Sequence, residues 1–88
     1  MSNIKKILED RGGRYGDFKE HARITQEIKK AMTSGRSWDK CTHSQKEALE
    51  MIAHKIGRIV NGDPKYKDSW VDIIGYVQLV IDKDILED

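Results

Sequence analysis

Cysteine and proline each occur once, at Cys41 and Pro64. A single cysteine excludes an intrachain disulfide and a cysteine-built zinc cage. A lone thiol between Lys40 and Thr42, in a polar stretch, reads as an incidental residue of a reducing cytosol. Long apolar runs are also missing: nothing approaches the roughly 20 residues of a membrane span. The opening MSNIKKILEDRGGRYG has no apolar signal-peptide core, so the expectation is a cytoplasmic protein that does not enter the membrane. An excess of one charge is absent too. Sixteen Lys and Arg face fifteen Asp and Glu, a formal +1 in a chain that is 35% charged. Without a global basic field, nucleic acid is not an expected partner, although local clusters can still bind phosphates.

Eighty-eight residues make one domain, 1–88, and not two. A chain of this size buries only roughly 60–65% of its unfolded surface, which leaves a modest core. Apolar residues are sparse in the first half and dense in the second. An apolar face left partly exposed by so small a core is expected to be covered by a second copy, giving a homodimer or a higher oligomer.

What is present is helical periodicity. Ile4, Ile7 and Leu8 place a short first helix at about 3–10, with Ser2 as its cap, and the Arg11-Gly12-Gly13-Arg14-Tyr15-Gly16 stretch is expected to break it. Asp17 caps a second helix over 17–32, with Glu20 completing a capping box and Phe18, Ala22, Ile24, Ile28 and Met32 as its apolar stripe. After Thr33-Ser34-Gly35, Trp38 is expected to plug a gap between helices. Thr42 or Ser44 starts a third helix over 43–61, whose apolar face includes Leu49, Ile52, Ala53, Ile56, Ile59 and Val60. Asn61-Gly62-Asp63-Pro64 is the strongest stop in the chain, read as a left-handed turn before a proline. A last helix over 68–83 is apolar almost all round. A strand over Val77–Ile81 is rejected because the 3.6-residue period runs unbroken from Trp70. The fold class is therefore all-α, a bundle of about four helices completed by oligomerisation.

The chemistry-bearing residues lie on the last two helices. At about 100° per residue, Glu47, Glu50, His54 and Arg58 line one side of the third, with Gly57 leaving room beside them. That pattern suits a solvated face with ion pairs four residues apart, and equally a functional face. Asp68 and Asp72 share a side of the fourth. Asp72 stands among Val71, Ile73, Tyr76 and Leu79, where an unpaired carboxylate is costly. Its partner is a base such as Lys55 or Arg58, a helix N-terminus, or a divalent metal. Glu47, Glu50, Asp68 and Asp72 together are the hard oxygen set that Mg²⁺ favours. Arg14, Lys55 and Arg58 are the candidate phosphate ligands. Tyr15 and Trp38 suit stacking or packing, and His21, on the apolar side of the second helix, reads as a core or interface histidine. No P-loop, Ser-His-Asp arrangement or dinucleotide glycine fingerprint is present.

Three stretches carry a resemblance: Arg14-Tyr15-Gly16-Asp17-Phe18, His54-Lys55-Ile56-Gly57-Arg58-Ile59, and Asp68 through Tyr76. Over about residues 14–81 the chain resembles small helical proteins of phages and prophages. More distantly it is similar to the MazG-like all-α nucleoside triphosphate pyrophosphohydrolases. The resemblance implies an oligomeric bundle and a Mg²⁺ site that cleaves nucleotides between the α and β phosphates. Glu47 and Glu50 would stand for part of that family's Glu-Glu-x-x-Glu, and Asp72 for the Asp of its Glu-x-x-Asp. The adjacent Glu pair is missing, Lys46 lies beside Glu47, and Asp68 is one residue too far from Asp72. Three readings follow. The first is a Mg²⁺-dependent pyrophosphohydrolase using Glu47, Glu50 and Asp72. The second is a protein that sequesters a nucleotide or nucleotide-derived molecule without cutting it. The third is a helical interaction protein that blocks a host protein.

Overall fold

The computed structural model describes residues 2–85 and is all-α, with α1 Ser2–Tyr15, α2 Phe18–Thr33, α3 His43–Asn61 and α4 Lys67–Asp84. A 3₁₀ turn at Trp38–Lys40 sits in the α2–α3 connection. The expected four helices are all present, and the largest boundary difference is in α1. Gly12 and Gly13 do not break it: the helix continues through both to Tyr15. The capping expected of the Ser2 side chain lies outside what is described.

Local chemistry accounts for the other helix ends. The Asp17 carboxylate accepts the Glu20 N–H (3.1 Å), while the Glu20 side chain, expected to close a capping box, turns instead to Arg23 at 2.7 Å. The full reciprocal box is at α3, where Thr42 accepts from Gln45 N–H and the Gln45 side chain accepts from Thr42 N–H. Gly62 ends α3 with φ −128° rather than in the left-handed region expected of the Asn61-Gly62 pair. The only positive φ among the described residues is at Gly16 (+80°).

α3 is the centre of the fold and packs against the other three helices, most extensively against α4. Its Ala48, Ala53 and Ile59 are the buried apolar residues, and no large side chain is fully enclosed among those described. The deeply buried residues of α2 are polar, His21 and Thr25, whereas Phe18, expected on its apolar stripe, is 76% exposed. Trp38 is half-buried, with the Lys46 ammonium 5.6 Å from its ring centre. Among the described residues no helix is long and apolar enough to cross a membrane.

Candidate functional site

The α1–α2 corner is bolted to the end of α3. The Asn61 side-chain amide donates to the carbonyls of Tyr15 and Asp17, both at 2.9 Å, and Asp63 N–H donates to the Arg14 carbonyl at 2.6 Å. Both glycines at this junction are required by contact: a Cβ on Gly16 would collide with the Asn61 carbonyl, and one on Gly62 with the Arg14 carbonyl. The bolt gives the Arg14 and Tyr15 carbonyls, left without intrahelical partners at the end of α1, a hydrogen-bond donor each. It also fixes the rings beside it. Tyr15 meets Tyr66 edge-on (6.0 Å), the Arg14 guanidinium lies over Tyr66 (5.2 Å), and the Arg58 guanidinium stacks over Tyr15 at 4.1 Å.

Against this corner lies a half-enclosed cleft of about 570 Å³ between α1, α2 and α3. Arg11, Tyr15 and Phe18 contribute from the corner, and His21, His54 and Arg58 from the helix walls. The histidines form a pair: His21 Nε2 and His54 Nδ1 are 3.3 Å apart with their rings perpendicular. Burial lowers the pKa of His21, and the neighbouring Arg58 charge lowers it further. The Gly57 backbone beside its Nδ1 offsets part of this without meeting hydrogen-bond geometry, so that Nδ1 stays unpartnered. His54 is held down to about 4, first by burial and then by the charges of Arg58, His21, Lys55 and Lys29. Both rings are therefore neutral at pH 7 and act as hydrogen-bonding groups, not cations. Positive charge in the cleft comes from Arg11 and Arg58, neither of which pairs with a carboxylate among the described residues.

A model for a domain of unknown function, DUF6378, matches residues 1–83. The chain belongs to the DUF6378 family. No curated protein and no solved structure matches it.

In this DUF6378 chain the expected site residues are dispersed. Asp72 binds the nearly buried Lys55 ammonium at 2.7 Å, so of its three candidate partners the fold selects the base. Lys55, expected to hold phosphate, is thereby committed to an ion pair within the α3–α4 interface. Glu50 faces Lys29 of α2 at 3.8 Å, Asp68 accepts from the Tyr66 hydroxyl at 3.1 Å, and Glu47 borders a separate groove with Tyr76 and Lys83. Among the described residues no three His, Cys, Asp or Glu side chains are placed to hold a metal ion. The residues present thus do not fit the Mg²⁺ site that the resemblance implies. Of the expected phosphate ligands, Arg58 is in the cleft and Arg14 lies next to it on Tyr66.

Sequence reasoning missed the His21–His54 pair, Asn61 as a bolt and Tyr66 as a stacking partner. One signal pointed to the pair. Gly57 beside His54 marks a close approach of helices: a Cβ there would collide with Thr25 Oγ1 and come within 3.0 Å of His21 Nδ1.

Proposed function

We propose that the corner cleft binds a phosphorylated planar molecule of the nucleotide class and holds it without cleaving it. The observation that carries this reading is the composition of one cavity. Two guanidinium groups, two neutral imidazoles and the Tyr15 and Phe18 rings converge on about 570 Å³, within the range of roughly 300–1,000 Å³ usual for small-molecule sites. Arginine matches phosphate oxygens with paired donors. The neutral His54 imidazole, whose Nε2 is not used by the histidine pair, suits the edge of a base, exposed Phe18 offers a ring to stack on, and Asp17 can accept hydroxyl groups of a sugar. Retention without hydrolysis is supported by the carboxylates: none of Glu47, Glu50, Asp68 or Asp72 lines the cleft. The protein would do this in the cytoplasm.

A thermal-shift panel of nucleotides and cyclic dinucleotides, with and without Mg²⁺, followed by product analysis, tests the reading. A saturating ligand should raise the melting temperature by several degrees, return unchanged, and lose most of its effect in Arg58→Gln. A flat panel overturns the proposal. Cleaved product would transfer the site to the hydrolase reading.

A further inference from the structure

The flank of α4 beside the α3 contact is apolar where a solvent-facing helix would be polar. Ser69, Ile73, Tyr76 and Val80 face α3, while Trp70, Ile74, Val77 and Ile81 stand 52%, 68%, 42% and 47% exposed. Their 4-3-4 spacing is that of a coiled-coil seam, in which apolar residues recur at the a and d positions of a heptad. α3 widens the face with Leu49, Ile56 and Val60, which are 40%, 37% and 63% exposed. The two helices share a groove on this side, in which Leu49 and Ile52 meet Val77, Ile81 and Ile85. With Ile85 included, these side chains expose on the order of 800 Å², above the roughly 300–600 Å² of a typical monomer's largest patch and equal to what each partner buries in a standard interface.

The seam also has a symmetry that selects its occupant. Reading α4 backwards places Trp70 opposite Ile81 and Ile74 opposite Val77, so the pattern is its own complement in antiparallel pairing. Continued by one heptad position at each end, the same register sets Lys67 opposite Asp84, and beside them Asp68 opposite Lys83. Both terminal pairs are of opposite charge. Within one protomer Asp84 accepts from the Thr42 hydroxyl, and its second oxygen is left for a further donor. A two-fold axis through the middle of α4 would thus meet large apolar residues at its centre and complementary charges at both ends, as an isologous interface requires.

We infer that two copies of this chain pair through antiparallel α4 helices, with the exposed α3 residues closing over the seam. Pairing completes the core that one copy leaves open. It buries none of the residues lining the corner cleft, so it stands apart from the proposed ligand site.

The test is sedimentation equilibrium of the full chain from 1 to 100 µM, with circular dichroism to monitor folding. The wild-type chain should sediment as a dimer. Ile74→Glu should raise the dissociation constant roughly 100-fold or more while leaving helicity unchanged, because the residue is exposed in the monomer and enters a two-fold interface twice. Lys67→Glu should weaken the dimer, and Lys67→Glu with Asp84→Lys should restore it. A wild-type monomer at 100 µM overturns the inference and leaves the face to a different protein. A dimer indifferent to Ile74→Glu places the interface elsewhere and overturns it as well. Failure of the double charge reversal to restore a dimer weakened by Lys67→Glu overturns the antiparallel register.

Discussion

His54 lies one turn before Arg58 and touches His21 across the α2–α3 interface, and its pKa falls to about 4 from an ordinary 6.5. The unfolded chain therefore binds more protons than the folded one between those values, and stability must rise with pH there. The contribution is complete above about pH 6.5, declines as the pH drops through that window, and is lost near 4. His21 acts in the same direction. Because His54 is only half-buried, solvent screening reduces the effect to on the order of 1 kcal/mol, or about 4–8 °C in a chain of this length. Melting curves at pH 7.5 and 4.5 should show that loss, and His54→Gln should make it smaller. Asp72 supplies a second residue-scale prediction. Its carboxylate is half-exposed but its partner Lys55 is nearly buried, so Asp72→Asn strands an ammonium and should cost about 1–3 kcal/mol in urea unfolding. Replacing both residues, as Lys55→Met with Asp72→Leu, should recover most of that. A carboxylate that served only as a metal ligand would show no such loss without metal. That Asp72 needed a partner was legible from its apolar neighbours. Which partner it takes depends on the α3–α4 register, which no residue near Asp72 in sequence reports.

At the scale of elements, α1 shows tertiary contacts overriding local propensity. Two glycines in a helix cost roughly 0.5–1 kcal/mol each relative to alanine, yet the helix reaches Tyr15, where Asn61 and Asp63 take up its last carbonyls. The glycines of this segment have separate roles. A Cβ at Gly13 meets nothing, whereas Gly16 has a positive φ and is pressed against Asn61. Gly13→Ala should therefore stabilise the protein by about 0.5–1 kcal/mol, and Gly16→Ala should destabilise it by more than that. Opposite shifts in urea midpoint would bear this out, and equal shifts would refute it. The same override reshapes α2. Its periodicity identified the helix, but the face that packs is organised around His21 and Thr25 because Gly57 brings α3 close at those positions.

The whole molecule is 50 × 25 × 25 Å with a radius of gyration of 15.1 Å, against about 12 Å for a compact chain of similar length. An elongated body with so few buried apolar side chains has little with which to offset its conformational entropy. If pairing through α4 supplies the missing burial, stability must depend on protein concentration. Raising the concentration from about 2 to 200 µM should lift the melting temperature by several degrees, and a midpoint independent of concentration would mean that the single copy is stable by itself. Composition anticipated this scale well. Dense apolar residues in the second half, on a chain too short to bury them, became the exposed faces of α3 and α4.

The sequence by itself determined the all-α class, the approximate spans of α2, α3 and α4, and the cap at Asp17, because periodicity and capping act between residues a few positions apart. It also marked Arg14 and Arg58 as candidate phosphate ligands, while their places over the Tyr66 and Tyr15 rings came only with the structure. Only the tertiary structure decided that Asp72 serves Lys55, that the carboxylates stay apart, and that His21 meets His54 beside Tyr15. Those outcomes depend on how far one helix slides and turns against the next. That geometry is set by the close approach at Gly57 and by the corner bolted through Asn61, contacts that span more than thirty residues of chain.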